Sequence, residues 1–202
     1  VVMDADLQHP PDVVPSLVNA VLRDGVDLAI ASRYVRGGGV AGWSLRRYFI
    51  SRGATYMARL LMPWTRSIKD PISGFFAVNA DRLRGVIDML SDSSGYKLIL
   101  ELLTLMHAKY GGSFRVVEVP YVFRSRVYGV SKLSTRELIN YVQLVLKLSN
   151  YSVPKYLVSL VLGSIIGYLF FNALSGMNPI ASNLVSIEFS LITVITMYQV
   201  LM

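Results

Sequence analysis

Val1-Val2-Met3-Asp4-Ala5-Asp6-Leu7-Gln8-His9-Pro10-Pro11-Asp12 opens the chain. A short apolar run that stops at turn-forming residues reads as the end of a buried strand. In open α/β sheets the ligand sits beyond the carboxyl ends of the strands. Asp4, Asp6 and the amide oxygen of Gln8 fall at such an end. These hard oxygen donors suit Mg²⁺ or Mn²⁺ holding a diphosphate. Asp-x-Asp alone is a weak signal, and a solvated turn is the plain alternative. The strand before it and the Gln-x-Pro-Pro-Asp run after it favour the metal reading. A parallel sheet is not built outward from one ligand-facing strand, so an N-terminal part before Val1 is expected.

The elements that follow keep alternating. Pro10 to Gly25 reads as a helix start, a helix with Val14, Leu17, Val18 and Val21 on one face, and a glycine stop. Residues 27–32 read as a second strand, ending at Arg33 before the loop Gly37-Gly38-Gly39. A long helix is expected at 43–62, a loop at 63–71, a strand at 74–80, short helices at 81–90 and 96–109, and a strand at 114–124. Residues 125–133 form a polar, basic loop. Ser134 and Glu137 fit a capping box for an amphipathic helix at about 135–150. That helix precedes an apolar segment and is read as interfacial. The alternative is an ordinary core helix of the front domain.

Charge divides the 202 residues into a basic front and an apolar back. Net charge is +7, and all twenty Lys and Arg lie at or before Lys155. After Lys155 the only charged side chain is Glu188. Hydrophobic residues make up 53% of the chain, and the mean hydropathy of +0.47 is high for a soluble protein. Such a front can meet nucleic acid, anionic lipid or a phosphorylated substrate. The acidic opening and the apolar back argue against nucleic acid. With no cysteine, disulfides and thiolate metal sites are excluded.

Residues 156–174 carry no charge. At about 1.5 Å per residue they match a hydrocarbon core of roughly 30 Å. Residues 184–202 are a second candidate span, weakened by Glu188, which is read as a buried functional or helix-pairing carboxyl, the alternative being a place near the interface where it costs little. Ser159, Gly163 and Gly167 form a small-residue row that admits a close neighbour helix. The basic flank before Tyr156, against residues 175–183 without Lys or Arg, places the front domain in the cytoplasm. The apolar end at Met202 reads as a cut within a membrane domain.

From Leu28 to Lys69 there is no Asp or Glu, but eight cations. A merely solvated face interleaves signs. Arg33 stands at a strand end. Arg47 and Ser51 are one helical turn apart and share a face, an arrangement that can hold a phosphate. Arg59 and Arg66 read as plain surface charges. In Lys69-Asp70-Pro71-Ile72-Ser73-Gly74-Phe75-Phe76, Asp70 can accept from sugar hydroxyls, or can simply shape a turn. Residues 123–133, with Arg126 and Lys132, read as a cationic loop closing over a phosphate at the membrane surface.

Taken together, DADLQHPP, ASRY with GGG, RRYFISRGA, DPISGFF, YKLILEL and FRSRVYGVSKL resemble the polyprenyl-phosphate glycosyltransferases, of the dolichol-phosphate mannose synthase type in glycosyltransferase family 2. They occur in the family order over nearly all of residues 1–133. Residues 181–192 resemble the start of a GtrA-like membrane domain. The resemblance implies an α/β fold: the C-terminal part of a GT-A (Rossmann-like) domain, followed by the interfacial helix and two transmembrane helices. The corresponding organisation is residues 1–133 for the transferase domain without its nucleotide-binding part, 134–155 for the interfacial helix and linker, and 156–202 for an incomplete transmembrane domain.

The same resemblance implies a role for each site residue except Asp70. Asp4, Asp6 and Gln8 hold Mg²⁺ or Mn²⁺ against the donor diphosphate. Arg33, Arg47, Ser51 and Arg126 surround the donor and acceptor phosphates, with Lys132 in the same loop; the sugar role of Asp70 rests on its own residue pattern rather than on the resemblance. Asp6, Arg33 and Arg126 are the residues expected to be catalytic. The implied reaction is inverting transfer of a hexose, mannose from GDP-mannose, to a polyprenyl (dolichyl) monophosphate at the cytoplasmic membrane face. Transfer of glucose from UDP-glucose to undecaprenyl phosphate, and a non-catalytic membrane-tethered binding or flippase-partner protein, are the alternatives. A processive polysaccharide synthase is disfavoured because no Gln-x-x-Arg-Trp motif is present.

Overall fold

The computed structural model describes residues 1–6, 8–90, 96–124, 135–150, 152–174, 176 and 178–201. After a short turn at Pro11–Val13, helix α1 spans Val14–Leu22, with Pro15 in its first turn, where a missing N–H costs nothing. Strand β1 is Leu28–Ser32 and β2 is Gly39–Val40. Helix α2, Leu45–Leu61, is capped by the Ser44 side chain, which accepts from the Arg47 N–H. Strand β3 is Phe76–Val78, and α3, Ala80–Arg84, is capped by Asn79. Helix α4, Tyr96–Tyr110, leads to β4, Val116–Pro120, and β5, Val122–Phe123. Helices α5, α6 and α7 are Thr135–Leu148, Ser152–Ala173 and Pro179–Leu201. Most of the expected elements are present, with four differences. Val1–Met3, expected as a buried strand, makes a single bridge and leaves Val1 exposed. The expected strand 114–124 divides into β4 and β5 of separate sheets. The expected helix 81–90 stops at Arg84, and the two apolar helices begin earlier than expected.

Strand β1 is the centre of the main sheet, between β3 and β4. Every residue of β1 is buried, as a strand covered on both faces requires. It runs parallel to β4, from Leu28 opposite Val116 to Ser32 opposite Pro120. It runs antiparallel to β3, so the sheet is mixed rather than all-parallel. The reason is local: the chain re-enters at the ligand edge through residues 63–75 and can only run back from there. Val2 bridges Phe76 antiparallel, with N–H···O distances of 2.8 and 3.1 Å. Val1–Met3 therefore runs in the direction of β1. Asp4, Arg33 and the entry to β3 meet at one edge.

Side-chain alternation splits the core in two. Ala29 and Ala31 face α1, with Leu17, Val21, Phe75 and Ala77. Leu28 and Ile30 face α4, with Phe76, Ile99, Leu103 and Met106. Each large apolar side chain buried there contributes about 1.5–3 kcal/mol. A third cluster joins Ala58 of α2 and Met62 just beyond its end, Leu100 of α4, and Tyr141 and Val145 of α5. The Tyr141 hydroxyl also donates to the Ala54 carbonyl at 2.6 Å. The amphipathic helix thus spends part of its apolar face on packing within Val1–Leu148, the first of two compact units. Ile139 and Val142 on the same helix stay exposed.

The second unit, Ser149–Met202, contains α6 and α7 packed on each other. Pro154–Ala173 and Pro179–Val200 are long and apolar enough to cross a membrane. Their arrangement is the reverse of a water-soluble pair. Small residues face inward: Ser159, Ser182 and Ser186 are buried. Large ones, including Leu157, Val161, Ile165, Leu184 and Leu191, face outward. A Cβ at Gly163 would lie 2.8 Å from the Ser190 carbonyl oxygen and would also strike Val194, so this approach requires glycine. Glu188, expected as a buried carboxyl, is exposed on the hairpin surface instead, because serines and glycines hold the inward positions.

Candidate active site

A cavity of about 270 Å³ opens at the edge where Val1–Met3 and β1 end. Asp4, His9, Arg33, Arg47, Ser51 and Gly74 are among its lining residues. A larger cleft, about 490 Å³, lies between Trp64, Ile68, His107 and Arg115 and contains no carboxylate. The smaller one brings together charges of both signs on four separate segments.

The Asp4–His9 turn is built by its own side chains. The Asp6 carboxylate accepts from the Gln8 N–H at 3.1 Å. The Asp4 N–H donates to His9 Nδ1 at 3.0 Å. Gln8 is buried, and its amide donates to the Arg124 carbonyl at 3.0 Å while the Arg124 N–H returns a bond of the same length to the Gln8 carbonyl. Gln8 therefore fastens the acidic turn to the strand that leads into residues 125–134.

His9 is a member of the site that the motifs alone do not single out. It is buried, stacked on Phe75 at 5.1 Å, and edged by Tyr121 and Phe123. Burial lowers its pKa despite the opposing pull of Asp4 and Asp6, which suits a neutral ring accepting at Nδ1. The available signal is its place directly after Asp-x-Asp-x-Gln.

Arg33 is nearly buried, and Asp70 completely so. The Asp70 carboxylate takes Nε and Nη2 of Arg33 at 2.7 and 2.6 Å, and the Arg33 N–H at 2.9 Å. Burial by itself would lower the Arg33 pKa, but the Asp70 bond and charge outweigh it and raise it, so the cation is permanent. Asp70, expected to meet a sugar, thus has both oxygens engaged by Arg33. Its own turn is held by Glu118 on β4, whose carboxylate accepts from the Lys69 and Asp70 N–H groups at 2.8 and 2.9 Å.

Arg47 and Ser51 line the cavity from α2, on one face as their spacing predicts. The Arg47 guanidinium sits 4.4 Å from the Trp43 ring centre. Ser51 accepts from the Tyr34 hydroxyl at 2.8 Å. The loop that carries Tyr34 bends back so tightly that a Cβ on Gly38 would lie 2.9 Å from the Arg33 carbonyl carbon, which only glycine avoids. Arg126 and Lys132 lie outside the described residues.

No group of three or more His, Cys, Asp or Glu able to hold a metal occurs among the described residues. The acidic turn nevertheless fits a hard cation of the Mg²⁺ kind. Such ions are held by one or two carboxylates, with water and substrate phosphates completing the shell. Asp4 is exposed and lines the cavity, and Asp6 stands beside it on the same turn.

Residues 1–84 match Glycosyl transferase family 2. The chain carries a family 2 glycosyltransferase domain. It is 43% identical to the dolichol-phosphate mannosyltransferase of Pyrococcus furiosus over 151 residues, 75% of this chain and 40% of the relative. The dolichol-phosphate mannosyltransferase of Saccharomyces cerevisiae is 39% identical over 144 residues, 71% of this chain and 52% of the relative. That of Mycosarcoma maydis is 35% identical over 181 residues, 87% of this chain and 58% of the relative. The chain thus spans about half the length of these curated relatives. The α/β fold and the two apolar helices agree with the resemblance drawn from the motifs.

Proposed function

We propose that this chain forms the phosphate-handling part of a polyprenyl-phosphate mannosyltransferase working at the cytoplasmic membrane surface. The observation that carries this is one cavity lined by the carboxylates of Asp4 and Glu137 together with Arg33, Arg47 and Ser51. That charge arrangement suits two phosphates, one met through a cation and one met directly. The named relatives support mannose and dolichyl phosphate; GDP-mannose is the donor we assign.

The reaction is a single in-line displacement with inversion. An oxygen of the lipid monophosphate forms a bond to the anomeric carbon, and the bond from that carbon to the donor diphosphate breaks. Asp4, Asp6 and Gln8 would hold Mg²⁺ or Mn²⁺, which when bound would supply charge neutralisation for the departing diphosphate. Arg33, locked by Asp70, adds a cation that need not reorganise as charge develops. The acceptor is anionic near neutral pH, so no general base is required. Arg47 and Ser51 orient it, a proximity effect. We assign Arg126 and Lys132 to the same phosphates, and Asp70 to holding Arg33 rather than to the sugar. The apolar helices α6 and α7 anchor the chain in the bilayer that contains the acceptor.

The test uses the full-length protein in membranes with polyprenyl phosphate, Mn²⁺ or Mg²⁺, and radiolabelled GDP-mannose or UDP-glucose. Label passing from GDP-mannose into the lipid fraction is expected. Label from UDP-glucose alone would reassign the donor, and no lipid label from any nucleotide sugar would overturn the proposal.

A further inference from the structure

Serines on the helices of this chain show two behaviours: several bond back along their own helix, Ser182 at 3.1 Å among them, whereas Ser16, Ser51 and Ser190 make no such bond among the described residues. Ser159, Ser164 and Ser186 each donate their hydroxyl to the carbonyl four residues earlier, at 2.9, 2.8 and 2.6 Å. This is the usual resting place for a helical serine hydrogen. Ser51 makes no such bond to Arg47 among the described residues. Its oxygen accepts from the Tyr34 phenol at 2.8 Å. A hydroxyl has one hydrogen to give, and in Ser51 that hydrogen is left for whatever enters the cavity that Ser51 lines with Arg33 and Arg47.

We infer that Tyr34 is a positioning residue that turns the Ser51 hydroxyl into a dedicated donor for the acceptor phosphate, an inference that rests on the proposed function. Tyr34 is well placed for this. It follows Arg33 directly, and its N–H donates to Ser32 Oγ at 3.3 Å, which fixes the start of the loop. Its ring lies 4.5 Å from the Arg52 guanidinium and 5.2 Å from that of Arg33. Burial raises the phenol's pKa, so it stays a protonated donor at neutral pH. One residue pair therefore couples the loop bearing Arg33 to the α2 face bearing Arg47 and Ser51.

The experiment is a double-mutant cycle in the full-length protein in nanodiscs, with labelled GDP-mannose and dolichyl phosphate. Ser51→Ala is expected to raise the KM for the lipid phosphate about tenfold, the loss of one hydrogen bond to a charged group. Tyr34→Phe keeps the ring and is expected to raise the same KM several-fold, leaving the donor KM unchanged. The double variant is expected to match Ser51→Ala, because the two side chains act as one unit. Multiplying effects, an unchanged Tyr34→Phe enzyme, or equal changes in both KM values would overturn the inference. Direct binding of polyprenyl monophosphate to the same variants separates the two claims. Weaker lipid binding by both single variants supports the role of Tyr34 even if no sugar is transferred, whereas unchanged binding overturns it.

Discussion

Arg33 and Asp70 form a two-pronged ion pair, the aspartate fully buried and the arginine reaching the cavity wall, with Nε–Oδ2 at 2.7 Å and Nη2–Oδ1 at 2.6 Å. The pair fixes a guanidinium in a plane at the cavity wall. Asp70 is in turn tied to β4 through Glu118. The position of the Arg33 cation is thus set by three segments far apart in sequence.

Asp70→Asn should cost more than a surface charge would. It leaves the Arg33 cation buried without its counter-charge, and removing one partner of a buried pair costs roughly 3–5 kcal/mol. Thermal unfolding in detergent should show a large drop in midpoint, and transfer should fall with it. A midpoint near wild type would show that Arg33 finds another partner.

The acidic turn should make transfer metal-dependent. Chelation by EDTA should abolish lipid labelling, and Mn²⁺ should restore it. Asp6→Ala should lose labelling at any Mn²⁺ concentration tested. The same substitution should weaken Mn²⁺ binding measured by electron paramagnetic resonance, a readout that does not depend on turnover.

Two glycines should respond oppositely to alanine. Gly53 lies in α2, and a methyl group added there would meet nothing within 4 Å. Gly53→Ala should stabilise by about 0.5–1 kcal/mol through helix entropy. Gly163→Ala forces a methyl against Ser190 and Val194 and should destabilise by roughly 1–3 kcal/mol. Circular dichroism melts of the two variants should move in opposite directions.

Alkali should destabilise the first unit through Tyr121. Burial pushes this phenol well above its ordinary value, with Arg33 pulling only partly the other way. The folded chain then keeps a proton that the unfolded chain releases near pH ~10. The stability is fully present below that pH and declines above it, by about 1.4 kcal/mol per unit for one such group. Tyr121→Phe should show a shallower loss of stability above pH ~10 in denaturant titrations, and an equal slope would exclude Tyr121 as the cause.

Much of the site is legible without the structure. Asp4, Asp6 and Gln8 stand at a strand end, and Arg47 and Ser51 one turn apart, because local spacing fixes which side chains share an edge or a face. The order of helices and strands is legible for the same reason. Asp70 reads as a sugar ligand because its partner Arg33 lies in a different part of the chain, and no local pattern reveals a buried pair. Tyr34 carries no signal for a like reason: its partner Ser51 is reached only when the loop after β1 folds against α2.

The sequence by itself determined the alternation of elements, the basic front and apolar back, the two long apolar helices and the acidic turn, since all of these follow from periodicity and composition within short windows. Tertiary structure alone decided the antiparallel course of β3, the packing of α5 against α2 and α4, the outward position of Glu188, and the pairing of Arg33 with Asp70 and of Tyr34 with Ser51. These depend on which distant surfaces exclude water together. Burial makes a charge or hydroxyl seek one particular partner, and only the fold says which partner is within reach.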